Sequence, residues 1–252
     1  MKQQRNELCT CGSGLKFKKC CYIKGSANIA QAERLLACKQ SVITRLIEFA
    51  TSRLGENAIQ QAWGDFHEGL NENVFSTDEA LNDLFLPWFL FNWQEAERAG
   101  CLAEIFVDHH RETLTDDELL VLKAAIRRPY SYGELIEVNP GISIRLFDLF
   151  QQVEYLIYDK SAARILKKGD LILYANMLPV FERISFLGIG PITIPLLLKD
   201  ELLDLRGAIL NKHQTETISD TLLLEEMPEI IGYYLDFYEE ILADDEDFTP
   251  ED

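Results

Sequence analysis

No stretch of this 252-residue chain approaches the roughly 20 consecutive apolar residues that a membrane-spanning helix requires. The nearest, residues 84–93, is about half that length and contains Pro87 and Asn92. An apolar leader is also missing: Met1-Lys2-Gln3-Gln4-Arg5 runs into polar residues and cysteines, so the expected location is the cytoplasm. Positive charge is scarce, with 24 Lys and Arg against 42 Asp and Glu for a net charge of -18. That balance argues against broad nucleic-acid binding, which needs cations to displace the counterions of phosphates. The usual catalytic signatures are absent as well. There is no Gly-x-Ser-x-Gly, no P-loop, no Gly-x-Gly-x-x-Gly and no His-Glu-x-x-His.

What charge there is lies unevenly. Residues 1–24 hold Lys2, Arg5, Lys16, Lys18, Lys19 and Lys24 against Glu7 alone, a surplus of five that leaves -23 for the rest. A basic head on an acidic body points to a dedicated contact surface. Four of the six cysteines also fall in the head, within thirteen residues. In a reducing compartment clustered thiols read as metal ligands before disulfides.

From residue 26 a three- and four-residue apolar period (Ile29, Leu35, Leu36, Ile43, Leu46, Ile47) predicts a helix ending near Gly55, with a second over 57–67. Ser76 and Glu79 form a capping-box pattern ahead of a helix reaching about residue 99 through Pro87. Thr115 and Glu118 form another, ahead of a helix to about residue 127. From Tyr130 the period changes. Short runs at 131–138, 143–150, 153–158, 170–178, 181–187 and 192–196, with turn residues between them, predict a small antiparallel sheet or barrel. Helices are expected again over 199–212 and 219–242, then an acidic, disordered tail at 243–252. The fold class is α+β: a head at 1–25 and a body at 26–242 that is helical over 26–128, strand-rich over 130–197 and helical over 199–242.

The head reads Arg5-Asn6-Glu7-Leu8-Cys9-Thr10-Cys11-Gly12-Ser13-Gly14-Leu15-Lys16-Phe17-Lys18-Lys19-Cys20-Cys21. Two close cysteine pairs separated by a reversing loop can place Cys9, Cys11, Cys20 and Cys21 around a tetrahedral Zn²⁺. Gly12 and Gly14 permit the positive φ that such a reversal needs. With all four ligand positions filled by protein, the ion is structural. Neighbouring lysines favour the deprotonated thiols.

This stretch closely resembles the SEC-C motif, the zinc-binding module found at the C-terminus of the SecA translocation ATPase and in smaller proteins. The resemblance spans residues 5–21. Thr10 stands where the family usually has proline, and Leu15 where it often has lysine; neither is a ligand. Cys21 fills a last position that the family varies between Cys and His. The chain therefore resembles a SEC-C protein other than SecA. The resemblance implies that Lys16, Lys18 and Lys19 contact an acidic partner such as the chaperone SecB, or the ribosome. Residues 86–195 resemble a body found in some SEC-C proteins of no assigned activity, through Trp88-Phe89-Leu90-Phe91, the run from Tyr132 to Gly141, Asp148 and Lys168-Gly169-Asp170.

Other candidates weigh less. Asp108-His109-His110 lacks the strand-end aspartates of a phosphoesterase, and adjacent histidines on a helix diverge by about 100°. His67 and His213 stand alone. Cys38 and Cys101 read as small buried hydrophobes, and Trp63, Trp88, Trp93, Phe85, Phe89 and Phe91 as core at helical spacing. Asp148, Asp159 and Asp170 lie in or beside the strands with nothing to bring them together. The resulting reading is a zinc-knuckle adaptor. The alternative is an enzyme or small-ligand-binding body with the knuckle as a targeting tag.

Overall fold

The computed structural model describes residues 4, 6–8, 14–19, 21–66, 79–94 and 100–246; within these, only the backbone is described at 21–29, 55–58, 79 and 242–246. A 46-residue helix, α1 (Cys21–Phe66), runs through the expected break at Gly55. Glycine inside a helix costs only about 1 kcal/mol. Continuing past it buries Ala62 and Phe66 on the same core as Leu35, Val42, Leu46 and Ala50, which outweighs that cost.

The capping box expected from Ser76 falls outside the described residues. A 3-10 turn, Glu79–Leu81, leads into α2 (Asn82–Phe91), which contains Pro87. The helix stops well short of the expected residue 99. Its end is captured by the segment before β1: Arg127 N–H donates to Phe91 C=O (3.1 Å), and the Asn92 amide donates to Arg128 C=O (3.1 Å). Next come α3 (Leu102–His110) and α4 (Asp116–Ala125). Thr115 and Glu118 form the expected box, with Thr115 N–H to Glu118 Oε2 at 2.9 Å and Glu118 N–H to Thr115 Oγ1 at 3.2 Å.

Glu118 also ties α4 to α1. Its Oε1 accepts from Ser41 Oγ (2.9 Å) and Arg45 Nη1 (3.0 Å). Burial raises its pKa, but the bonds from Thr115, Arg45 and Ser41 outweigh that and hold the carboxyl at about 2. A depressed folded pKa stabilises above the unfolded value of 4.5 and loses that contribution as pH falls towards 2. Unfolding free energy should therefore fall between pH 5 and 2 less steeply in Glu118→Gln than in the wild-type chain, by about 2 kcal/mol across the window. Parallel slopes in chemical denaturation would refute this.

Five strands form one antiparallel sheet in the order β3-β2-β1-β4-β5: β1 (Tyr130–Asn139), β2 (Ser143–Asp148), β3 (Glu154–Ile157), β4 (Leu171–Asn176) and β5 (Phe186–Ile189). The β1–β2 hairpin turns at Asn139-Pro140-Gly141, with Gly141 at φ 67° and Ile142 N–H bonded to Asn139 C=O. Of the expected alternatives this is an open sheet. One parallel bridge, Ile157 to Ile184, links its edge strand β3 to the segment before β5. One face carries Tyr130, Tyr132, Leu173 and Ala175 into the helical core. The other gathers Leu135, Ile144, Leu146, Ile172 and Phe186 beneath the short α5 (Ala162–Ile165).

The strand expected over 181–187 shrinks to β5 because Phe181 and Glu182 take left-handed φ of 52° and 60° in a tight reversal bridging Val180 and Arg183. The last expected strand, 192–196, reduces to one bridge, Leu171 to Ile194, before a 3-10 turn at Leu196–Leu198. Helix α6 (Lys199–His213) is as expected. The helix expected over 219–242 divides into α7 (Asp220–Glu225) and α8 (Met227–Glu246). Pro228 supplies no N–H at the junction. There Glu226, 5% exposed, accepts from Lys212 (2.7 Å) and pairs with His213 (2.5 Å). Part of the expected tail, residues 243–246, belongs to α8, and 247–252 lie outside the described residues. No described helix is long and apolar enough to cross a membrane.

Candidate metal centre

Of the four expected ligands, Cys9, Cys11 and Cys20 lie outside the described residues. Cys21 is the first residue of α1, with only its backbone described. The chain between the two cysteine pairs nevertheless doubles back. Leu8 and Lys16 form an antiparallel bridge, and Phe17 N–H donates to Glu7 C=O at 2.7 Å. Gly14 takes φ 69° before the bridge, and a 3-10 turn, Phe17–Lys19, follows it with Lys19 N–H on Lys16 C=O. A main-chain reversal is what a pair-loop-pair thiolate site requires, and the described backbone at residues 7–8 and 14–19 supplies one.

Beside the reversal, Lys16 and Lys19 are exposed and Lys18 is partly exposed. They sit at one end of α1. Leu35 is the first buried residue along that helix whose side chain is described, roughly 20 Å of helical rise beyond Cys21. The cations of the head thus precede, along the chain, the first described buried side chain of α1.

Among the described residues no group of His, Cys, Asp and Glu is arranged to hold a metal. His109 and His110 diverge on α3. The His109 Nδ1 contacts Ile105 C=O (2.8 Å) and its Nε2 faces Arg53, while the His110 ring packs on Phe106 with centroids 4.6 Å apart. His213 serves the Glu226 cluster, and His67 lies outside the described residues. Cys101 is fully buried at the N-cap of α3, where burial pushes its thiol up to about 12, and burial likewise raises Cys38 beside Asp117. Neither thiol is set up as a nucleophile. The aromatic group is core: Trp63 meets Phe85 edge-on at 4.5 Å, and Trp93 Nε1 donates to Asp65 at 2.8 Å.

The three strand-region aspartates serve separate local structures. Asp159 accepts from the Ser161 and Ala162 amides at the start of α5, and Asp170 from the Lys167 amide. Asp148 is 1% exposed and takes four hydrogen bonds; burial raises its pKa against those donors. The cavity beside it, among Arg128, Ser131, Tyr174 and Asn176, is only about 10 Å³, room for about one water and not for a substrate. Sequence reasoning passed over Lys39, which faces a larger cavity. A single lysine on a long helix carries no local signal of that position.

Residues 5–23 match the model of the SEC-C motif family. The match takes in all four cysteines and the three lysines and ends in the first turn of α1. No curated protein and no solved structure matches the chain.

Proposed function

We propose that this chain is a zinc-binding adaptor. Cys9, Cys11, Cys20 and Cys21 hold a structural Zn²⁺, and Lys16, Lys18 and Lys19 dock the head on an acidic or phosphate-bearing partner, a SecB-like chaperone or the ribosome. The observation that carries the reading is the SEC-C match over the segment where cations and cysteines coincide. The exposure of Lys16 and Lys19 and the partial exposure of Lys18 support it.

Such a contact is electrostatic and weakens as salt screens it over the Debye length, about 10 Å at 0.1 M. In co-sedimentation with ribosomes and pull-down on purified SecB, recovery should drop sharply between low and moderate salt. Lys16→Glu, Lys18→Glu and Lys19→Glu combined should reduce it by at least about ten-fold. Equal recovery of the triple variant with both partners would end this proposal. A second reading, a small-ligand-binding body for which the knuckle is a targeting tag, is favoured by the cavity at Lys39.

A further inference from the structure

Where α1, α2, α5 and β5 meet, the body holds a cavity of about 400 Å³ walled by Ile43, Leu86, Pro87, Ile165, Leu187 and Ile189. A smaller one of about 90 Å³ lies between α1 and the segments carrying Tyr158 and Arg183. Both are lined by Lys39, Asp159 and Ser161. The larger volume falls within the range of roughly 300–1,000 Å³ typical of small-ligand sites.

The charges around this space are unspent. Lys39 donates to the Phe186 carbonyl and makes no ion pair among the described residues. Burial lowers its pKa against the opposing charges of Asp159 and Asp83. Both carboxylates line the larger cavity with it. Asp159 uses Oδ1 for the Ser161 and Ala162 amides, both at 3.0 Å, and leaves Oδ2 without a described partner. Asp83, exposed at the start of α2, has no described side-chain partner. One ammonium and two carboxylates thus face a single space, near enough to feel one another and too far apart to pair. A desolvated charge short of a partner is costly, and a ligand that supplies the partner recovers that cost on binding.

The complement to this lining carries a carboxylate for Lys39, an ammonium for Asp83 and Asp159, and an aliphatic arm for the walls. We propose that the cavity at Lys39 binds an apolar α-amino acid. The site gives the second reading above a ligand class. It depends on neither the metal nor the partner of the head, so its failure leaves the adaptor reading standing.

Titration calorimetry of the full chain with L-leucine tests the proposal. Saturable heat is expected at ligand concentrations up to about 10 mM, with 4-methylpentanoate and 3-methylbutylamine, each lacking one of the two charges, at least about ten-fold weaker. Lys39→Met and Asp83→Asn should each weaken leucine several-fold. Because Asp83 is exposed and unpaired, Asp83→Asn should keep the wild-type melting temperature, so the test survives if Lys39→Met fails to fold. The proposal is overturned if leucine, isoleucine, valine and phenylalanine all give no saturable heat. It is equally overturned if either singly charged analogue binds as tightly as leucine, or if Asp83→Asn leaves the affinity unchanged.

Discussion

The purified chain is expected to carry about one equivalent of zinc, and the double variant Cys9→Ser, Cys11→Ser to carry none. Two thiolates of four cannot close a tetrahedral structural site, and serine is a poor zinc ligand at neutral pH. The segment of the head is short of apolar residues, and its described closures include one bridge between Leu8 and Lys16 and the Phe17-to-Glu7 hydrogen bond. Metal binding supplies about 10–16 kcal/mol to such modules, against the roughly 1 kcal/mol of a main-chain hydrogen bond. Amide exchange at residues 14–19 should accelerate to near the unfolded rate in the variant. The body's melting temperature should hardly move, because the first buried side chain described along α1 is Leu35. Metal analysis, thiol titration and hydrogen exchange measure these effects. Metal-free wild-type protein with four freely titratable head thiols under reducing conditions would defeat both the zinc assignment and the adaptor built on it.

The second large effect lies in the body. Asp148→Ala should destabilise the chain by on the order of 3–5 kcal/mol. The carboxylate ends β2, and its Oδ1 accepts from Ser131 Oγ (2.9 Å), Phe150 N–H (2.8 Å) and Gln151 N–H (2.7 Å). Its Oδ2 accepts from the Tyr174 hydroxyl at 2.6 Å. Ser131 lies on β1 and Tyr174 on β4, so one side chain clamps three neighbouring strands and the turn before β3. Alanine leaves four donors without an acceptor, and each buried unsatisfied group costs about 1–3 kcal/mol before relaxation. Asparagine retains an acceptor oxygen for three of the four and should cost less, about 1–2 kcal/mol. Chemical denaturation checks the ordering. A loss below about 1 kcal/mol for Asp148→Ala, with the denaturant slope unchanged, would show that the clamp is not needed.

The parts of this fold that were legible in the sequence are those set by near neighbours. The Thr115 and Glu118 box is a three-residue relation, and the helix it opens stands where expected. β1 to β4 follow from short apolar runs between turn residues such as Asn139-Pro140-Gly141. Pro228 was a local signal that the expected single helix over 219–242 passed over, and the chain divides there into α7 and α8. Gly55 misled in the opposite direction, because the burial of Ala62 and Phe66 beyond it is invisible to a local rule.

The candidate metal centre belongs to the sequence. Four cysteines, two glycines and three lysines within seventeen residues state their chemistry by type and spacing, because a zinc knuckle is built from ligands close along the chain. The tertiary structure alone decided how far α1 extends, where α2 stops and what surrounds Lys39. It also assigned Asp148, Asp159 and Asp170 to separate structural tasks. Apart from the local turns held by Asp159 and Asp170, these features turn on contacts between residues tens of positions apart, such as Lys39 with Phe186 or Asn92 with Arg128. Long-range packing selects among local tendencies of nearly equal free energy, and a single sequence does not display that selection.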